Sequence, residues 1–349
     1  MENIQYPAPK QQYKVLVRCF TFNHSKYIED ALNGFAMQQT NFPFVCLVMD
    51  DASTDGEQEV IKKWMSRECD MSRAETIDIP TSIVIIVPHK TNPTCTFAFY
   101  LLKQNLYRLK DEKIKHVRPW RQKCVYEAMC EGDDYWTDPL KLKTQVDFLD
   151  NHNDFTMCFH NAVVQYEDSY CKDHLMANIT NKEYSGIYVY KNWIIPTASV
   201  LYKINVLETE LYTKVLESTN FIYGDTPLFV TCAEIGKIYG MSDVMSVYRK
   251  HLGGLTSQKH SLSDFRFYRH QEEFYRVFGK KYYSPFLISH YYISTIYKSI
   301  LKNRWRNALI ALQNSPYRVA TFLTFFTFPV QHLYYRFKYS NNSRSEVDQ

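Results

Sequence analysis

The chain has 349 residues, 45% of them hydrophobic and 16% aromatic, with 28 Tyr, 22 Phe and a net charge of +4. Such a length and apolar share exclude a disordered or fibrous chain and leave one large α/β domain with an appendage, or two ordinary domains. The charge is uneven: from residue 261 onward 13 Lys/Arg stand against 5 Asp/Glu, a basic, aromatic tail that suits a polyanionic partner or an anionic membrane surface.

After a polar leader over residues 1–12, YKVLVRCFTF (13–22) reads as a buried strand, and Tyr27, Ile28, Ala31, Leu32 and Phe35 then recur at helical spacing. FPFVCLVMDDAST (42–54) is a second strand ending in Asp50 and Asp51. It leads to a helix with Val60, Ile61, Trp64 and Met65 on its buried face, and Thr54 and Glu57 have the spacing of a capping box at its start. Residues 66–81 read as an irregular connection, SIVIIVP (82–88) as a third strand and TFAFYLLKQNLYRLK (96–110) as a helix. The fourth strand, 124–130, runs into Glu131, Gly132, Asp133 and Asp134. Beyond it Asp138 and Pro139 stand where an N-cap and a first helical residue belong, ahead of Leu142, Val146 and Leu149 on one helix face. This alternation implies a doubly wound, largely parallel sheet. FTMCFHNAVVQY (155–166) and PTASVLYK (196–203) read as further strands, and a helix follows near 226–236. After Gly254 the chain turns to helices rich in Tyr, Phe, Arg and Lys, which places a boundary near 255–262.

The acidic group at 131–134 is the most informative feature. Carboxylates crowded this closely repel one another, and a fold keeps them together when something compensates, most often a divalent cation. A solvated strand-to-helix loop would carry a similar sequence. Gly132 removes side-chain bulk and lets a ligand approach the backbone, and the carboxyl end of a strand is where open α/β sheets bind ligands. The first strand-to-helix turn, FTFNHSKY, has no glycine, so it is not a dinucleotide fingerprint, and no phosphate-binding G-x-x-x-x-G-K-[ST] occurs. The acids at the ends of the second and fourth strands can instead bind a nucleobase or ribose and hold a metal on a diphosphate. Asp51 also suits helix capping through the DDASTDG turn.

In this order VRCFTFNHSKYIEDAL, VMDDASTDG, CEGDDYWTDPLKL, YGDTPLF and VYRKHLGG resemble the bacterial family 2 glycosyltransferases of the GT-A fold. The resemblance covers roughly residues 13–255 and leaves 256–349 as a helical, aromatic and basic extension. It implies transfer of a sugar from a nucleotide diphosphate sugar, with Mn2+ or Mg2+ and inversion at the anomeric carbon. It places Phe22 and Asn23 at the donor base and Asp50 and Asp51 on the nucleoside. Glu131 and Asp133 take the place of the D-x-D motif, with Asp133 and Asp134 on the metal and diphosphate. Asp225 takes the place of the general base, and Arg249 and His251 fall in the loop over the diphosphate. Phe20 and Phe22 replace the usual proline and tyrosine, and Glu131 replaces an aspartate, which leaves the donor base open. A nucleotidyltransferase on the same carboxylates and a non-catalytic nucleotide-sugar-binding module are the competing readings.

His251 as a metal ligand, and His160 and Asn161 on the acceptor side, are further candidates; a phosphate contact or simple exposure for His251, and strand-end polarity for the other two, are the plainer roles. Nine cysteines without a C-x-x-C pair fit a reducing compartment. The N-terminus lacks an apolar signal stretch, and the expected location is cytoplasmic. RVATFLTFFTFPVQHLYYRFKYS (318–340) joins aromatics to flanking Arg and Lys around Pro329, as an interfacial helix on an anionic leaflet would; packing within the protein or in a dimer would use the same residues. The expected acceptor is a glycan or a lipid-linked oligosaccharide, and nucleic acid is not among the expected partners.

Overall fold

The computed structural model describes residues 6–109, 113–167, 171–251, 266–283, 285–301, 303–313, 315, 319–324, 326 and 327. The chain divides into two compact units, Met1–Thr213 with Leu228–Ser257, and Lys214–Pro227 with Gln258–Gln349. The boundary expected at 255–262 lies outside the described residues, as does most of 318–340.

In chain order the elements are β1 (Tyr13–Thr21), α1 (Ile28–Ala36), β2 (Phe44–Asp50), α2 (Glu57–Glu68), β3 (Glu75–Ile79), β4 (Ser82–Pro88), β5 (Cys95–Leu102), α3 (Leu106–Leu109) and α4 (Ile114–Arg121). Then come β6 (Cys124–Met129), β7 (Tyr135–Trp136), α5 (Lys141–Asn151), β8 (Phe155–Tyr166), β9 (His174–Leu175), β10 (Lys182–Tyr184), α6 (Gly186–Asn192) and β11 (Leu201–Lys203). The chain continues through α7 (Glu210–Glu217), α8 (Asp225–Ile235), β12 (Lys237–Lys250), α9 (Arg266–Phe278), α10 (Pro285–Leu301) and α11 (Trp305–Gln313).

The strands form one sheet in the order β10-β12-β8-β11-β6-β1-β2-β5-β4-β3, with β7 on β12 and β9 on β8. The long pairings, β6 to β1, β1 to β2, β2 to β5 and β8 to β12, are parallel. The edges and the short β11 are antiparallel. β2 is buried at every position, the burial that a parallel strand covered on both faces requires. Alternate residues of β1 feed two apolar layers. Val15, Val17 and Cys19 pack on one side with Ile61, Trp64 and Phe99; Leu16 packs on the other with Tyr100 and Trp120. This mixed, mostly parallel sheet flanked by helices, with helices at the C-terminus, is the α/β architecture expected from the sequence.

Several local expectations fail for identifiable reasons. The helix expected over 96–110 is present at Leu106–Leu109 and absent before it. Instead Cys95–Leu102 is a strand between β2 and β4, with Phe97 through Leu102 all buried; periodicity cannot separate a short, doubly buried apolar run from a helix. The segment 66–81 contains β3, whose alternating exposure and charged positions mark an edge strand. There is no capping box at α2: its N-cap is Gly56 at φ +90°, and the Glu57 side chain turns to the end of β1. Asp138 accepts Leu140 N–H at 2.7 Å in a turn ahead of the helix, and α5 starts at Lys141 with Leu140 as its N-cap, beyond Pro139. β12, a strand of 14 residues, had no expected counterpart; its register shifts between Met241 and Ser246 break the alternation. The strand expected over 155–166 is β8 (Phe155–Tyr166), with His160 and Asn161 buried in mid-strand, and Asn161 bonds Ile179 and Ser242 backbone.

In the second unit Phe221, His270, Phe274, Phe278 and Tyr282 form an aromatic cluster. Helix α10 packs on α11 through Ile293, Ile296, Ala308 and Ala311. All nine cysteines are free.

Candidate functional site

The sheet has its switch point at β1. The chain passes from β1 outward through β2 and β5, then returns to lay β6 on the other side of β1, and the crevice beyond such a reversal is where an open sheet binds ligands. Two backbone bonds prolong the β1–β6 pairing past its formal end, Cys130 N–H to Arg18 O and Gly132 N–H to Phe20 O, both at 3.1 Å. They carry the acidic turn to the end of β1. The turn fits there because residue 132 is glycine. A Cβ at that position would lie 2.1 Å from Thr21 Oγ1 and 2.5 Å from Thr21 Cβ. The close approach expected of a ligand is therefore made by the Thr21 side chain.

β7 pairs with β12 at Ser246 and Val247, which brings the end of β12 against the same turn. Asp133 Oδ2 is 3.0 Å from His251 Nε2 and 3.7 Å from His24 Nε2. One ligand atom from each of His24, Asp133 and His251 falls within 4.8 Å of the others, a set that can hold a metal ion. Burial alone would raise the Asp133 carboxyl, but the His251 hydrogen bond and His24 outweigh it and hold the group below the ordinary range. Burial also depresses the His24 pKa, which favours the neutral ring.

Asp134 is placed differently from Asp133. It is buried, it accepts Arg249 N–H at 2.9 Å, and burial together with the Asp133 charge pushes its pKa well up. It lies outside the cluster that gathers around Asp133, and it fastens β12 to the acidic turn. Arg249 is also committed to the protein. Its guanidinium bonds Asp133 O at 3.0 Å and Asp30 Oδ2 at 2.7 Å, and it lies between the rings of Tyr27 and Tyr135 at 4.9 and 4.7 Å. Glu131 faces Arg18 at 3.8 Å.

At the end of β2, Asp51 accepts Leu106 N–H at 2.7 Å and Tyr107 N–H at 3.3 Å and pairs with Lys113 Nζ at 2.7 Å. It caps α3, a helix other than the one the DDASTDG turn precedes. Asp50 is fully buried. Its Oδ1 accepts Ser53 N–H and the Gln58 amide, and its Oδ2 has no hydrogen-bond partner. Asn23, at φ +58°, ties the two strand ends together by accepting Thr54 N–H at 2.8 Å. Phe22 is half-buried beside it. Asp225 belongs to the second unit, where its Oδ1 accepts Thr226 N–H at 2.7 Å at the start of α8.

Sequence reading overlooked His24, Thr21 and Glu57. Thr21 Oγ1 stands 3.2 Å from His24 Nδ1 and donates to Glu57 Oε1. Glu57 Oε2 takes His24 N–H and Ser53 O–H, both at 2.8 Å. Burial lifts the Glu57 carboxyl to about 7. The available signal was small: a histidine directly after Asn23 in the first turn, and an acid set aside as a cap. Among the described residues no helix is long and apolar enough to cross a membrane.

Two curated proteins, Rv1520 of Mycobacterium tuberculosis and Mb1547 of Mycobacterium bovis, both described as uncharacterised, are each 32% identical to the chain over 236 residues. The match takes in 67% of this chain and 58% of each relative, so the chain spans little more than half their length. Among solved structures the chain resembles residues 1–349 of Staphylococcus aureus TarS in complex with UDP-GlcNAc, with TM-score 0.52 and 18% identity over 87% of this chain and 82% of that one. At that identity the likeness is one of fold. No family model matches the sequence.

Proposed function

We propose that the chain is a glycosyltransferase that moves a sugar from a nucleotide diphosphate sugar to a hydroxyl of a glycan or lipid-linked oligosaccharide, in surface polysaccharide synthesis. The observation that carries this reading is the convergence of Asp133 with two histidines at the switch point of a GT-A sheet. The donor set fits a divalent cation, Mn2+ or Mg2+, with Asp133 and His251 as its holders. When bound, such an ion neutralises the charge that develops on the departing diphosphate.

The chain's own residues supply the rest. Asp50, Asp51, Asn23 and Phe22, at the ends of β1 and β2, are the groups we assign to the nucleoside. Glu131 and Arg249 brace the turn that faces the diphosphate. Asp225 takes the proton from the acceptor hydroxyl as that oxygen attacks the anomeric carbon opposite the leaving diphosphate, a single displacement with inversion. Asp225→Asn is expected to lower turnover by ~10²–10⁴-fold with donor binding intact; near-wild-type transfer by this variant would remove Asp225 from the role.

A thermal-shift panel of nucleotide sugars with Mn2+, followed by transfer assays on the stabilising donor, tests the function. Stabilisation by a nucleotide sugar and release of a nucleoside diphosphate support it. Binding of a nucleoside triphosphate with release of pyrophosphate overturns it in favour of nucleotidyl transfer.

We also infer peripheral attachment to the cytoplasmic face of an anionic membrane. Trp305, Leu309 and Leu312, and Val319, Phe322, Leu323 and Phe326, are exposed at spacings that share a helix face. Together with the basic balance of the region they support an interfacial face. Flotation of the full chain with anionic but not neutral liposomes is the expected outcome.

A further inference from the structure

We propose that His24 is a third cation ligand, locked in its ligating tautomer by Thr21 and Glu57, and that the resulting site favours a first-row transition cation over Mg2+. The proposal rests on the reading of this corner as the cation site of a sugar transferase.

The hydrogen bonds fix the tautomer. Thr21 O–H donates to Glu57 Oε1, and Glu57 is held as an acceptor by two further donors, His24 N–H and Ser53 O–H, each at 2.8 Å. With Glu57 ionised, as it is at pH 8, that hydroxyl has its single proton donated and can only accept. The contact of 3.2 Å between Thr21 Oγ1 and His24 Nδ1 is therefore Nδ1–H to oxygen, and Nε2 carries the lone pair. Nε2 is the atom that faces Asp133 Oδ2. A ligating histidine usually donates its other ring N–H to an oxygen acceptor that fixes the tautomer; here that acceptor is the Thr21 hydroxyl, itself held by the Glu57 carboxylate.

The spacing is also suitable. Ligand atoms about 2.0–2.2 Å from a cation and at right angles to each other stand about 3 Å apart. The separations from Asp133 Oδ2 are 3.0 Å to His251 Nε2 and 3.7 Å to His24 Nε2, and all three ligand atoms lie within 4.8 Å of one another, so an inward turn of His24 would bring the set around one cation. The two rings meet edge to face at 89° with centroids 5.8 Å apart, which keeps them from stacking over the gap. Two imidazoles and one carboxylate suit first-row transition ions, whereas Mg2+ prefers an all-oxygen shell with several waters. Gly132 completes the device, because only a residue without Cβ lets the Asp133 turn lie against Thr21.

The test is Mn2+ binding to the full chain at pH 8, followed by electron paramagnetic resonance, with spin-echo modulation to count coordinated nitrogens. Wild type is expected to show two imidazole nitrogens and to keep its Mn2+ in a tenfold excess of Mg2+. His24→Ala is expected to show one, with affinity lowered about 10–100-fold. Thr21→Val is expected to lower affinity in the same direction and Thr21→Ser to restore it. Two nitrogens and unchanged affinity in His24→Ala overturn the proposal, as does a wild type that shows fewer than two or yields its Mn2+ to Mg2+. If Thr21→Val does not fold, His24→Ala decides, since His24 sits on a partly exposed turn. A wild type that binds Mn2+ through two nitrogens but transfers no sugar would sink the transferase reading and leave the cation site standing.

Discussion

Strands β1 and β6 carry two charged groups a few residues apart that are built on opposite terms. Inside the sheet, Glu127 is fully buried between Arg18, at 2.8 Å, and Arg121, at 2.5 Å, so one carboxylate is saturated by two guanidinium groups. At the strand ends, Glu131, Asp133 and Asp134 crowd one turn, with His24 and His251 gathered at Asp133. The inner group sets opposite charges against each other with full hydrogen bonding, and the arginines pull Glu127 down to about 2 although burial opposes them. The outer group pushes one of its own acids, Asp134, well up. The inner arrangement holds the strands together; the outer one keeps like charges together where a ligand would relieve them.

The largest expected effect breaks the outer group without touching the inner one. Asp133→Ala should lower sugar transfer by about 10³-fold or more, because a metal site supplies several kcal/mol of charge stabilisation and each ~1.4 kcal/mol is tenfold in rate. Its unfolding midpoint should hold or rise, since Asp134 loses a repelling neighbour. A variant that unfolds readily would show that Asp133 is structural.

The converse change is Glu127→Ala, which leaves two buried guanidinium groups without their carboxylate. Removing one partner of a buried ion pair costs about 3–5 kcal/mol, which denaturant unfolding would read directly. A loss under about 1 kcal/mol would mean that the arginines find water instead and that the pairing contributes as little as a surface bridge does.

Gly132→Ala tests the joint between the two groups. Its Cβ meets Thr21 at 2.1 Å, and overpacking of this kind costs about 1–3 kcal/mol. Cation affinity should fall with it, because Thr21 and the Asp133 turn cannot both keep their places.

The smallest effect is in the pH dependence of stability, where Glu127 and Glu57 act with opposite signs. Glu127 has a folded pKa below its unfolded value, so its contribution is present above about 4.5 and is lost as pH falls toward about 2. Glu57 has a raised pKa, so its contribution is full below about 4.5 and is lost as pH rises to about 7. Glu127→Gln should remove the acid-side slope alone and Glu57→Gln the slope between about 4.5 and 7 alone, both measured as unfolding midpoint against pH. An exchange of those two slopes between the variants would reverse the assignments.

The parallel frame was legible in the sequence because β1, β2 and β6 are short apolar runs buried on both faces, each followed by a polar turn. The acidic turn was legible as a candidate site because three carboxylates around a glycine have few other reasons to stay together. What Gly132 is for was not legible. Its neighbour is Thr21, more than a hundred positions earlier, and contact across β1 and β6 exists only once the sheet has formed. Glu57 looked like a helix cap because capping is a local rule, and the bond to Thr21 that replaces it is not local. Residues 96–110 looked helical because apolar spacing alone does not report that β2 and β4 lie on either side.

The sequence by itself determined the class of sheet, the strand ends that carry acids, and the family that those motifs resemble, since each follows from patterns within a single element. Only the tertiary structure decided that His24 and His251 meet at Asp133, that Asp134 and Arg249 join β12 to the turn, and that Thr21 lies between Glu57 and His24. The physical reason is that a ligand set is a distance relation among three separate strand ends, and the order of strands in the sheet, which no local pattern encodes, fixes those distances.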